Sequence, residues 1–350
     1  MAVPSDRTRI EQRNEQLNTT DPSRPNQADA GANVSDRGPA RGLAGSTESA
    51  STESSSPADP GKDADEESSS VDWFAEFRGL ALMLLAVLAF HSLVAKPFYI
   101  PSTSMMPALH VGDRLVVSKF PYGWSWASAS FHLLPRGDWR IFPDTPEYGD
   151  VVIPVHPTRN EDYIKRVVAL PGDTIEVRGG RIVLNGEMIT REIVPPVRIP
   201  FEPELLCNDR PCLSSFEPYR VRDADGRQYF EPPTYRETLP NGATYLVIDH
   251  TDRYLDNYGP YTVPEGHVFV MGDNRDESAD SRASELDRGL GGGIPMENIG
   301  GRAEFITFSL DGSTTWNPAS WWTGLRGERA WTTLRPARAQ IDPPGEPAAD

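Results

Sequence analysis

Asp113-Arg-Leu-Val-Val-Ser-Lys119 is short, rich in apolar and β-branched residues, and flanked by Gly112 and Pro121, which is how a strand reads. The pattern recurs at Asp150-Val-Val-Ile-Pro-Val155, Arg181-Ile-Val-Leu-Asn-Gly-Glu187, Thr244-Tyr-Leu-Val-Ile-Asp249, His267-Val-Phe-Val-Met271 and Glu304-Phe-Ile-Thr-Phe308. Asn185-Gly186 is a hairpin signal, because both central positions of a tight turn need positive φ. The chain carries 33 Pro and 29 Gly in 350 residues, which argues against a helical bundle. The expectation is a mainly β protein: an antiparallel β body over 97–312 with a smaller β extension at roughly 178–262. Residues 122–147 and 195–240 are Pro-rich and irregular, and fall in loops or that extension.

Upstream the composition changes twice. Residues 1–70 hold no aromatic residue, and 13 acidic against 7 basic ones. Such a segment buries too little apolar surface to offset its ordering entropy, so a disordered acidic head is expected. Residues 79–95 read GLALMLLAVLAFHSLVA, without a Lys, Arg, Asp or Glu. Seventeen residues stand at the short end of what crosses a bilayer as a helix. One transmembrane anchor over 71–96 is therefore expected, with a buried core helix as the other reading. Trp73, Phe74 and Phe77 before it, and Phe98 and Tyr99 after it, suit the membrane interface. Lys62 and Arg78 upstream against Lys96, Arg114 and Lys119 downstream leave orientation unsettled by the positive-inside rule. The net charge of −17 argues against a nucleic-acid partner, which needs a basic surface. The two cysteines are too few for a four-thiolate metal site, and the six histidines show no metal-ligand spacing, so neither metal nor cofactor is expected.

Three segments carry reactive groups. Pro101-Ser-Thr-Ser-Met-Met-Pro107 places two hydroxyls two residues apart between prolines, which fits a rigid presenting turn or an ordinary structural loop. Asp162-Tyr-Ile-Lys-Arg-Val-Val168 alternates as a strand, so Tyr163, Lys165 and Val167 share one face and Arg166 the other. Burial there would lower the Lys165 pKa and make a neutral general base; this segment alone favours instead a surface lysine snorkelling over its neighbours. Met271-Gly-Asp-Asn-Arg-Asp-Glu-Ser-Ala-Asp-Ser-Arg282 lacks the spacing of a calcium loop and reads alone as a surface loop crosslinked by Arg–Asp pairs.

Taken together, the segments resemble type I signal peptidases, membrane-anchored serine proteases of the bacterial cytoplasmic membrane. Four stretches match in order: Ile100-Pro-Ser-Thr-Ser-Met-Met-Pro-Ala-Leu109, Gly112-Asp-Arg-Leu-Val-Val-Ser-Lys-Phe120, Tyr163-Ile-Lys-Arg-Val-Val-Ala-Leu-Pro-Gly-Asp173 and Gly272-Asp-Asn-Arg-Asp-Glu-Ser-Ala-Asp-Ser-Arg282. The resemblance spans roughly 75–312 and makes the β body catalytic. It implies Ser104 as nucleophile and Lys165 as the base that takes its proton. Ser102, with the Ser104 N–H, matches the oxyanion site. Ser278 matches the hydroxyl that positions the lysine amine. Asp280 and Arg282 match a supporting ion pair, and Asp273, Arg275 and Arg166 fall with them as structural support. Phe98, Ile100, Pro101, Met105, Leu109 and Ile164 match the walls of shallow subsites that accept small residues before the scissile bond.

The partners implied are preprotein signal peptides of Ala-x-Ala type, the lipid bilayer and the translocation machinery. The implied place is a single pass of the cytoplasmic membrane, head inside and body on the periplasmic side. Relatives carry a disulfide in a comparable extension, which Cys207 and Cys212 would form here. Thr103 stands where glycine is common, so its φ should be negative or the turn strained, and Glu277 stands where asparagine is common. The Gly-rich connection at 283–301 is longer than usual. Residues 313–350 make a Trp- and Arg-rich tail, suited to the membrane interface or to packing on the body, with a disordered end. Two other readings compete: a self-processing serine/lysine protease of the same clan, and an inactive membrane-tethered β module.

Overall fold

The computed structural model describes residues 73–339 apart from Asn208. The acidic head and the last residues of the tail lie outside them. Helix α1, Trp73–Leu93, is 21 residues long and no residue of it is buried. It is rich in Leu and Ala, strong helix formers, and apolar on every side, the character of a membrane span. Among the described residues it is the one helix long and apolar enough to cross a membrane. It begins six residues before the apolar run at Gly79 and ends at Leu93, where the chain turns into strand.

Strands follow almost without interruption. In chain order they include β1 Ala95–Tyr99, β2 Asp113–Ser118, β3 Val151–Pro154, β4 Lys165–Ala169, β5 Thr174–Arg178 and β6 Arg181–Leu184. After these come β7 Thr190–Val194, β8 Thr234–Thr238, β9 Ala243–Ile248, β10 His267–Met271, β11 Ile299–Ser309 and β12 Ala337–Arg338. The main sheet has the order β1-β2-β11-β3-β4-β10, with Ile294–Pro295 on its edge, and its pairings are antiparallel. Register shifts along β11 mark bulges that curl the sheet. The chain is thus mainly β, as its strand pattern implies. Asn185 and Gly186 take φ of 54° and 86° in the turn between β6 and the short strand Glu187–Met188, the conformation the Asn-Gly signal calls for.

A second sheet, β7-β8-β9-β12, forms the extension. Its last member lies in the segment expected as a separate tail. Arg329 pairs with Asp113 at 2.6 Å, Arg326 donates to the Val111 carbonyl at 3.0 Å, and Arg335 donates to Glu304 at 2.8 Å. These ion pairs and the β9–β12 ladder carry the body on to Arg338, past the expected limit at 312. The tail indoles Trp316, Trp321, Trp322 and Trp331 stay largely exposed, with Trp331 stacked on Phe305 at 5.5 Å.

Under the site lies a core of Ile100, Met105, Leu109, Leu115, Ile153 and Ile306, contributed by several strands and the turn after β1. Each fully buried aliphatic side chain is worth about 1.5–3 kcal/mol, so this cluster fixes the turn against the sheet.

Candidate active site

The turn after β1 is tied at both ends. Ile100 N donates to Asp113 O at 3.0 Å and Gly112 N returns to Ile100 O at 3.0 Å. Its middle is held by the loop after β10: Asn274 N donates to Ser104 O at 3.1 Å, and Asn274 Nδ2 to Thr103 O at 3.2 Å. Thr103 is absent from the residues with positive φ, as its side chain requires.

Strand β4 opens with Lys165, and its alternation sends Lys165 and Arg166 to opposite faces. Lys165 is 3% exposed and Ser104 6%. Lys165 Nζ lies 2.9 Å from Ser104 Oγ and donates to the Ile164 carbonyl at 2.8 Å. Burial pushes the Lys165 amine down to about 8, against the pull of the Asp280 and Asp273 carboxylates in the other direction. The buried alternative in the sequence is therefore the one the chain adopts. Ser102 Oγ sits 3.3 Å from Ser104 Oγ, on the exposed side of the turn.

Around the pair runs a set of buried ions. Arg166 donates twice to Asp273, at 2.8 and 2.6 Å, and to the Gly149 carbonyl at 2.7 Å. Arg282 donates to Asp280 at 2.9 Å and to the Arg275 carbonyl at 2.9 Å. Asp280 is held below its usual range: burial opposes this, but the Arg282 charge and hydrogen bonds, with the Gly272 N–H, prevail. Asp273 and Arg275 are not partners of each other. Arg275 pairs instead with Glu237 on β8, Nη1 to Oε1 at 3.0 Å, so the extension grips the site loop through a fully buried ion pair.

One expected contact is not made. Ser278 Oγ is buried without a hydrogen bond of ordinary geometry, and it lies beside Asp280, whose pKa it helps lower. The Ile164 carbonyl and Ser104 hold the Lys165 amine in its place.

Above the pair opens a cavity of about 530 Å³. Phe98, Ile100, Pro101 and Ile164 line it, as expected, together with Ser102, Ser104 and Lys165. Met105 and Leu109 do not; both are 0% exposed and belong to the core beneath. They are the floor's support, because the turn folds their side chains inward against Leu115 and Ile306. Ile153, Glu161, Asp162, Glu277 and Arg288 add an apolar patch and a charged mouth that the sequence patterns do not mark. The cavities of about 540 and 530 Å³ elsewhere are lined by neither serine nor lysine. Cys207 and Cys212 are joined by a disulfide, and Cys207 Sγ lies 3.4 Å from the Pro101 carbonyl at the rim.

The arrangement can move a proton from a hydroxyl to an uncharged amine and hold a peptide carbonyl beside them. Residues 72–308 match the family described as "Signal peptidase, peptidase S26". A protein of Rickettsia bellii named signal peptidase I is 34% identical over 255 residues, covering 69% of this chain and 74% of its own length. The signal peptidase I of Pseudomonas aeruginosa is 34% identical over 233 residues, 65% of this chain and 69% of its own length. Among solved structures, a signal peptidase I of Enterococcus faecalis matches at 21% identity and a TM-score of 0.23, over 45% of this chain and 97% of that one.

Proposed function

The chain belongs to the signal peptidase family, peptidase S26, a family of hydrolases, and from that membership we propose that it cuts signal peptides from exported preproteins with Ser104 as nucleophile and Lys165 as general base. The observation that carries the proposal is the 2.9 Å approach of the two groups, both almost wholly buried at the floor of the cavity. A serine hydroxyl attacks a peptide bond only when a base takes its proton, and an amine titrating near 8 is half-neutral just above physiological pH.

Ser104 Oγ attacks the scissile carbonyl carbon while its proton passes to Lys165 Nζ. The oxyanion is met by the Ser104 N–H and the Ser102 hydroxyl, a pair of donors typically worth a few kcal/mol in the transition state. The Lys165 ammonium then protonates the leaving amine, the new terminus of the mature protein. Water, activated by the same amine, releases the signal peptide from Ser104. Phe98, Ile100 and Ile164 leave room for alanine before the bond and exclude larger residues by overlap. An extended substrate runs along strand edges of the cavity by β-augmentation.

Helix α1 anchors the body to the cytoplasmic membrane, with the body on the outer side. The strand β1 leaves the helix within two residues, so the cavity lies near the surface where a preprotein emerges from the translocation machinery. A peptide with an Ala-x-Ala site tests the assignment. Ser104→Ala and Lys165→Met each lower kcat/KM by about 10⁴-fold or more. Equal cleavage by the wild type and both variants overturns it, and undiminished self-cleavage without action on the peptide moves the assignment to a self-processing protease.

A further inference from the structure

Behind the site loop, away from the cavity, three carboxylates converge. Asp249 directly follows β9, Asp256 closes the turn Tyr254–Asp256, and Asp276 lies in the loop after β10. One carboxylate oxygen of each lies within 4.8 Å of the other two. That spacing is what oxygen ligands around a calcium ion at 2.3–2.6 Å require.

The cluster is only half satisfied by protein. Asp276 Oδ2 accepts from the His250 and Thr251 N–H groups at 2.7 and 3.2 Å. Asp256 Oδ2 accepts from Arg253 N at 2.6 Å. The second oxygen of each, Asp276 Oδ1 and Asp256 Oδ1, is buried with no hydrogen bond. Asp256 is 6% exposed, and the Asp276 side chain is wholly buried. Two unpartnered carboxylate oxygens in one buried cluster are costly and call for a counter-charge or a shared proton. One guanidinium is bonded to the group, Arg191 donating to Asp249 Oδ2 at 2.7 Å, while the Arg282 charge, paired with Asp280, is felt at Asp256 without a bond. The His250 imidazole, with Nε2 3.6 Å from Asp276 Oδ2, is buried and that nitrogen is also unpartnered. Arg253 turns outward to Glu277 at 3.8 Å. Three carboxylates thus face one bonded cation.

We propose that Asp249, Asp256 and Asp276 bind a divalent cation, calcium by ligand type, that clamps the segment after β9 to the loop carrying Ser278 and Asp280. The neighbouring backbone already joins these segments: Ile248 N donates to Asp273 O and Arg275 N to Ile248 O, each at 2.9 Å. The ion would close the open end of that junction. All the ligands are hard oxygens, and the two buried ones are pre-positioned by backbone N–H groups, which suits Ca²⁺ and not a soft transition metal.

The test uses the full chain in detergent, freed of metal with EGTA, and CaCl₂ as the probe. Equilibrium dialysis with ⁴⁵Ca²⁺ is expected to give one saturable site in the wild type that Asp256→Asn removes. The Tm of the wild type rises by about 3–8 °C at about 10 mM CaCl₂, and that of Asp256→Asn does not. If Asp256→Asn does not fold, Asp249→Asn, whose side chain is partly exposed, is read in the same way. A wild type whose Tm ignores CaCl₂, or a folded variant that responds as the wild type does, overturns the proposal and leaves the carboxyls sharing a proton.

Discussion

Lys165, at the start of β4, and Lys119, just past the end of β2, are two buried lysines, 3% and 2% exposed. Burial lowers both amines to about 8. Each donates to a backbone carbonyl, Lys165 to Ile164 at 2.8 Å and Lys119 to Gly300 at 2.9 Å. They differ in the second neighbour. Lys165 meets Ser104 Oγ, whereas Lys119 meets the Phe98 ring at 5.7 Å and the repulsion of Lys96. A lowered pKa is therefore a property of burial, and it becomes chemistry only where a nucleophile stands within bonding reach.

The sharpest separation of the two is the loss of about 10⁴-fold expected of Lys165→Met. Next in size is a change that leaves both lysines intact and moves the nucleophile, with Ser278 beside it. A Cβ on Gly272 would lie 2.2 Å from Ser278 Oγ and 2.5 Å from the Ser104 carbonyl oxygen. The carbonyl belongs to the turn and cannot rotate away, so Gly272→Ala displaces Ser104 relative to Lys165. A misplacement of about 1 Å costs on the order of 10²-fold. The expected result is that loss in kcat/KM on the Ala-x-Ala peptide, with the circular dichroism spectrum of the wild type retained. Undiminished kcat/KM would mean that the separation of the pair does not set the rate.

The pH profile is the third and milder discriminator. Below its folded pKa the Lys165 amine holds a proton and cannot accept another, so kcat/KM should fall about tenfold per pH unit below 8 and level off above it. A profile flat from pH 6 to 9 would remove Lys165 from the role of base.

Much of this was legible in the chain. The strand pattern foretold the sheet, Asn185-Gly186 its turn, and the spacing in Asp162 to Val168 which face Lys165 would share. What escaped has a common cause. Glu237 and Arg275 are 38 residues apart, and Arg329 and Asp113 are 216 apart, so no local period relates them. The Trp- and Arg-rich tail therefore reads as membrane-facing or packed on the body alike, and three of its arginines hold the body together. Met105 and Leu109 sit in a turn, where two-residue alternation gives no guide to which side chains face the cleft and which the core. Ser278 shows a related limit: its place in the motif brings it to the site, but its contacts depend on how Asp280 and Arg282 pack beside it.

The smallest expected effect completes the comparison. Lys119→Met keeps the length of the side chain and removes the buried ammonium. The Gly300 carbonyl then loses its donor, a cost of about 1–3 kcal/mol, while the desolvation of a charge in an apolar site is relieved by a similar amount. The two oppose each other, so Tm should stay within about 4 °C of the wild type. kcat/KM should stay within about threefold, with the inflection still near pH 8, because the titrating group that matters is Lys165. An inflection that moved or vanished in Lys119→Met would assign the observed titration to the wrong lysine, and with it the base.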